Sequence, residues 1–482
     1  MASHDPLGQR LRAAGPSLFA LVVLSALLAW SAPLSPDDWD GLGFIAAVDH
    51  FDLSRFAPHP PGYPVYVAAL RAAHFLIRDP LAAAYAVSIA SAAASATLAF
   101  LTARRLRAGP PDGGPPDRDR AAWPVACAVV VTPIAWRAMS AVGSEGLALA
   151  LLAAAVWSLV SARQQMRGAS IFLGTAVGLG LGVRLSWAPL FVPLLLLAPR
   201  GSRLRATSIS ALASIAWVVP LAAIVGPSDL LRLYGVHAQG HASRWGGTAI
   251  TDPGAGRLVY LARDIFIDGL GAGSDALGVA IGVLAAVLGA GGLARWHRAG
   301  WRGSAAVAFA LLPYVFWIAV GQNLREQPRH AVPLVVALAA ALAFAATHSP
   351  RLRALGAALA VLIAARTALD ATARRSTLPP GAQLAAYVSQ LPDVRGIAIF
   401  AGPSARFFEG TALADRAAIA DSLDDARLGL TRLNDYPRRV LVTSELEGIR
   451  EAQLPLVATF CRPPRLDRRA PCLSLYEWSL TR

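Results

Sequence analysis

Apolar runs of 14–28 residues that carry few charges alternate with short clusters of arginine, and this alternation limits the fold more than any other feature. A helix needs roughly 20 apolar residues to cross a bilayer core, so each run reads as a span. The runs lie at 17–34, 81–103, 122–138, 146–162, 169–184, 186–199, 207–226, 267–294, 303–321, 331–347 and 354–369. The predicted fold is an α-helical polytopic membrane protein of about 11 transmembrane helices. Only 15% of residues are charged, against roughly 25% in globular chains. The net charge of +14 could suggest nucleic acid. Every basic residue is an arginine, however, and the arginines bunch between the apolar runs instead of forming one face. That is the positive-inside pattern, and it excludes nucleic acid as a partner.

Letting the arginine clusters set topology places the N-terminus in the cytoplasm and residues 35–80 outside. Within that stretch, Arg71, His74 and Arg78 recur at i, i+3 and i+7 on an otherwise apolar helix from Pro64. One polar stripe on a short apolar helix predicts an interfacial helix, not a span. Residues 104–121 are a charged Pro/Gly-rich connection, the shape of a solvated loop. Arg184 marks a tight outer hairpin, and 227–266 is a larger outer loop holding His237 and His241. The expected organisation is a membrane domain over 1–369 and an extracytoplasmic α/β domain over 370–482. The latter follows from short β-rich runs at 396–400, 439–443 and 454–460, bounded by Pro and Gly. Cys461 and Cys472 lie in this outer tail and are disulfide candidates. The expected location is a bacterial inner membrane, crossed many times.

Chemistry concentrates in the stretch after the first span, SPDDWDGLGF followed by HPPGYP. Ser35-Pro36-Asp37-Asp38 reads as a helix start, with Ser35 as cap, Pro36 at the first position and acids in the first turn. Asp40 lies beyond that start, where an acid beside lipid marks function. It is the first candidate for a general base, and Asp38 is the second. The turn at His59–Pro64 holds a histidine and the Tyr63 hydroxyl on a rigid backbone. Glu145 opens a span, where it serves either the helix dipole or a second acidic role. Arg184, Arg329 and His330 sit at span ends, and arginine forks suit phosphate. His237 and His241 are spaced for a metal pair, but no third ligand is evident. No metal site is assigned, no cofactor is called for, and a divalent cation is neither required nor excluded. P-loop, GxGxxG and GxSxG signatures are absent, which argues against nucleotide-driven chemistry.

An acid past the first span, HPPGYP leading into an apolar helix, an acid opening a later span and Arg-His before a late one together resemble the GT-C superfamily of membrane glycosyltransferases. The nearest likeness is to the protein O-mannosyltransferase and aminoarabinose transferase group, in its bacterial HPPGYP-containing branch. The resemblance implies transfer of a sugar from a polyprenyl-phosphate-linked donor to a lipid, glycan or protein acceptor on the outer face. It places the catalytic acid on Asp40, by its spacing to Phe44, with Asp38 as the fallback. It matches Glu145 to the acid opening the fourth span, and His59 and Arg329 to positions near the lipid phosphate. Gly43 stands where relatives often carry a second acid. The rival reading is a membrane transporter or lipid-linked-sugar flippase, which calls for discontinuous helices and charges at mid-membrane.

Overall fold

The computed structural model describes residues 6–106, 115–243, 247–254, 256–299, 301–347, 349–409, 411–433, 437–468 and 471–479. Residues 107–114 of the connection expected at 104–121 lie outside the described residues, and its two ends are helical, in Pro80–Leu106 and Pro115–Val131, where a loop was expected. The chain divides into two compact units. One comprises Met1–Ala32 with Ala47–Ala371, and the other Pro33–Ala46 with Thr372–Arg482.

The first unit is helical. Among the described residues six helical stretches are long and apolar enough to cross a membrane: Pro80–Leu106, Glu145–Arg163, Arg200–Val225, Ala276–Ala294, Pro328–Ala346 and Pro350–Ser389. Ala122–Val131 and Pro133–Met139 qualify together but are bent by 73°, the form of a broken span or a re-entrant loop. The break falls at Thr132-Pro133, where proline restricts its predecessor to extended backbone. Shorter apolar helices cover Phe19–Ser31, Pro64–Ile77, Ala169–Val183, Leu185–Leu196 and Ala305–Gly321.

Small residues set the packing where two of these helices press closest. A side chain at Gly174 or Gly178 would overlap the backbone of Arg200–Val225 at the carbonyls of Ala206 and Ser210. This is the four-residue glycine spacing that lets helices meet backbone to backbone in lipid. The Trp217 indole N–H then donates to the Gly178 carbonyl at 2.9 Å.

Eleven spans were expected; six stretches, or seven with the bent pair, qualify by length and composition among the described residues, and one expected span begins elsewhere. Residues 264–269 form a π-helical turn, Asp264–Gly269, and the following span begins at Ala276, not at 267. Gly271 lies at φ +84, and the Asp275 carboxylate accepts the Gly278 N–H at 2.8 Å, restarting the helix. The stretch 227–266 is also more ordered than a loop, with helices at Pro227–Ser243 and Gly256–Arg263.

The second unit holds a five-stranded sheet. β1 (Ile397–Ala401), β2 (Ala417–Ile419), β3 (Arg439–Thr443), β4 (Leu456–Cys461) and β5 (Cys472–Glu477) stand in the order β2-β1-β3-β5-β4. β1 runs parallel to both β2 and β3, while β5 is antiparallel to β3 and β4. β1 is apolar throughout because both faces are covered. Ile397 and Ile399 pack with Leu384, Val388, Leu441 and Leu475 on one side. Ala398 and Phe400 pack with Ala426, Val440 and Val442 on the other. Cys461 and Cys472 face each other across β4 and β5 and are joined as a disulfide.

The helix start expected at Ser35 lies three residues later. The helix runs Trp39–Asp49, and the Asp38 carboxylate is its cap, accepting the Gly41 N–H at 3.0 Å. Asp37 is drawn instead into two arginines, with Arg374 Nε at 2.7 Å and Arg462 Nη1 at 2.8 Å. Asp40 therefore occupies the first turn, where the helix dipole favours an acid.

Candidate active site

In the membrane unit the span-end charges converge. Glu145 is the first residue of its helix, and its carboxylate meets Arg184 Nη1 at 2.9 Å with both side chains buried. Arg329 Nε lies 3.6 Å from the same oxygen. Arg184 sits where helix Ala169–Val183 ends and a 3-10 turn, Leu185–Trp187, begins. Its Nη1 also donates to the Ser144 hydroxyl at 2.9 Å, and its guanidinium lies 5.9 Å from the centre of the Trp187 ring. Arg329 and His330 occupy the short turn Pro328–Ala331, ahead of Val332–Ala346. The Tyr314 hydroxyl donates to the His330 carbonyl at 2.7 Å, fixing that turn.

The chemical content is a buried carboxylate holding two guanidiniums. A buried ion costs several kcal/mol unless it is paired and hydrogen-bonded. Here Arg184 is held by both Glu145 and the Ser144 hydroxyl, and Arg329 is drawn toward the same carboxylate oxygen. The geometry brings one carboxylate, Glu145, against two cations, Arg184 and Arg329.

A second cluster sits around the proline-rich turn. His59 Nε2 and the Tyr63 hydroxyl share a hydrogen bond at 2.8 Å. Tyr63 has φ 48 and stands immediately before helix Pro64–Ile77. The Tyr234 hydroxyl donates to the Pro61 carbonyl at 2.8 Å, tying helix Pro227–Ser243 to the turn. That helix brings His237 within 6.0 Å of His59, ring centre to ring centre. His237 and His241 share a hydrogen bond at 3.2 Å between their Nε2 atoms. No group of three or more His, Cys, Asp or Glu positioned to hold a metal occurs among the described residues. Tyr66, one turn into helix Pro64–Ile77, is fully buried and lies within electrostatic reach of Glu145. The helix thus carries one end of each cluster.

Arg71, read as part of an interfacial stripe, donates to the carbonyls of Val48 and Ala47, both at 3.0 Å. It closes the C-terminal end of the helix that begins at Trp39. Asp38 and Asp40 belong to the second unit, together with the tail.

Sequence reasoning did not find Tyr66, Tyr314, Trp187 or Tyr234, whose apolar surroundings read as packing. It also passed over Asp264, fully buried in the π-helical turn that packs on the Arg329-His330 turn. Two acids inside the apolar stretch RDIFIDGLG, Asp264 and Asp268, were the available signal, and π-helical turns recur at functional sites.

No protein-family model and no curated protein sequence matches the chain. Solved structures do. ArnT from Cupriavidus metallidurans in the apo state aligns with a TM-score of 0.56 and 13% identity, over 96% of this chain and 98% of that one. The fold is that of the ArnT structure. The same enzyme bound to undecaprenyl phosphate gives 0.56 and 12% identity over 97% and 99%. An oligosaccharyltransferase from Archaeoglobus fulgidus, tethered to an acceptor peptide, gives 0.48 and 13% identity over 89% and 68%.

Proposed function

We propose that this protein is an integral-membrane glycosyltransferase that moves a sugar from a polyprenyl-phosphate-linked donor to an acceptor hydroxyl on the extracytoplasmic face. The observation that carries the reading is the buried Glu145–Arg184–Arg329 cluster, set in a fold whose ArnT example binds undecaprenyl phosphate. A polyprenyl phosphate is a competent leaving group, so two tasks remain. A base must take the acceptor proton, and cations must receive charge as the sugar–phosphate bond breaks.

In this scheme Asp40 takes the proton and the acceptor oxygen bonds to the anomeric carbon. The bonding pair to the leaving oxygen stays with the phosphate. Arg184 and Arg329, oriented by Glu145, receive that charge through forked donors. His59, Tyr63 and His330 complete the donor-side polar groups. Asp38 caps the helix bearing Asp40. The acceptor is a lipid, glycan or protein hydroxyl.

The bent pair at Thr132-Pro133 is the discontinuous helix that a transporter or flippase would use. One assay separates the readings: transfer of radiolabelled sugar from polyprenyl-phosphate donors in membranes containing wild type, Asp40→Asn or Asp38→Asn. Loss of a general base costs on the order of 10²–10⁴ in rate, so Asp40→Asn falls by that much. Asn caps a helix as well as Asp does, so Asp38→Asn stays within a few-fold of wild type. Wild-type membranes that consume no donor would defeat the enzyme reading and direct the work to flux assays.

A further inference from the structure

Asp37, in the second unit, is held by two buried arginines, and the scheme above gives it no task. Its side chain is 6% exposed and lies between Arg374 at 4% and Arg462 at 0%. Arg374 donates to Oδ2 from Nε at 2.7 Å, with Nη2 at 2.5 Å from the same oxygen. Arg462 donates to Oδ1 from Nη1 at 2.8 Å, and its Nη2 reaches the Arg374 carbonyl at 3.1 Å. The Arg462 backbone N–H is fixed on the Pro471 carbonyl at 2.7 Å, next to the Cys461–Cys472 disulfide. Both carboxylate oxygens are therefore held by guanidiniums that are themselves anchored.

Such a trio is a poor source of stability, since apolar residues of similar volume often serve as well or better. Its best attested use is to fix register. The segment whose register it fixes is short: Asp38 caps the helix one residue later, and Asp40 follows two residues after that. A one-residue slip at Asp37 would carry Asp40 about 1.5 Å along the helix axis and turn it by roughly 100°.

Resting on the glycosyltransferase reading, we propose that Asp37 is a positioning residue: its clamp by Arg374 and Arg462 holds the acid-bearing helix start in catalytic register and makes the tail part of the catalytic machinery. Asp37 touches no substrate in this scheme and acts through Asp40.

The test uses the full-length protein in detergent or nanodiscs, with Asp37→Asn, Arg462→Lys, Asp40→Asn and the double variant Asp37→Asn/Asp40→Asn. Hydrogen exchange over residues 38–46 reads the clamp without reference to activity, and Asp37→Asn raises it. A displacement of about 1 Å costs up to about 100-fold, so kcat falls on that order while KM for the polyprenyl-phosphate donor holds. In the Asp40→Asn background the second substitution changes nothing further. Arg462→Lys keeps the charge and one donor, recovers part of the rate, and serves in place of Asp37→Asn if that variant does not accumulate. Unchanged exchange overturns the clamp. A change in KM alone, or a further loss in the double variant, overturns the positioning role. If wild type transfers no sugar, the functional reading fails while the exchange comparison still decides the clamp.

Discussion

Glu145→Gln isolates the buried cation holder at the centre of the site. The amide keeps the shape of the side chain and one acceptor oxygen, but removes the negative charge facing Arg184 at 2.9 Å and Arg329 at 3.6 Å. Glu145 and Arg184 are 7% and 5% exposed, so solvent screens little of the loss. Breaking a buried pair from one side costs about 3–5 kcal/mol. The Ser144 hydroxyl and the Trp187 face still support Arg184, which places the expected loss near ~3 kcal/mol. That is on the order of 10²-fold in the unfolding equilibrium. Arg184→Gln takes from Glu145 its nearer cation and leaves the looser Arg329, at a similar cost of ~3 kcal/mol. The double variant removes both charges together, so it lands near ~3 and not near ~6 kcal/mol. Equilibrium unfolding in mixed micelles, followed by tryptophan fluorescence, measures all three. Strict additivity would refute the claim that these groups act as one buried unit.

Two further outcomes concern the tail. Burial holds the Glu445 carboxyl above the usual carboxylate range, against opposing hydrogen bonds from Ser404, Thr443 and Gly402. A raised acid binds its proton more tightly when folded, so its stabilising effect is full below about pH 4 and is lost as pH climbs through the raised value. Protection factors for amides in β1 and β3 should therefore decline over that range in wild type and stay flat in Glu445→Gln; the same slope in both would exclude Glu445 as the cause. Replacing Cys461 and Cys472 by serine opens a loop of sequence separation 11, for which the chain-entropy relation gives ~3 kcal/mol. Faster exchange confined to β4, β5 and the 461–472 connection is the expected result, and unchanged exchange there would count against it.

Much of the fold was legible because bilayer physics writes itself into composition. Apolar length marked the spans, the tail showed β1, β3 and β4 as short apolar runs, and the first-loop motifs pointed to a GT-C fold. What stayed hidden has physical causes. β2 is only three residues long, and the buried alternation of Leu473 and Leu475 in β5 was too short to stand out. The π-helical turn at Asp264–Gly269 reads as ordinary helix, because an i+5 bond leaves no mark in periodicity. The helix start was misplaced because Ser35-Pro36-Asp37-Asp38 offers two good caps, and the choice was made by Arg374 and Arg462, hundreds of residues away. The approach of His237 to His59 likewise depends on Tyr234 seizing the Pro61 carbonyl, a contact no local pattern encodes.

The split composition of the second unit also sets a timetable for making the protein. Asp37 and Arg374 are 337 positions apart. At ribosomal rates of about 5–20 residues per second, roughly 17–70 s separate synthesis of the carboxylate from synthesis of its first partner. During that interval the helices of the membrane unit from Pro64 onward are made, while Pro33–Ala46 waits without the sheet it belongs to. The acid-bearing helix start is thus among the first segments made and among the last to reach its native register. A chain arrested before Arg462 would carry its membrane unit with the Asp37 clamp incomplete.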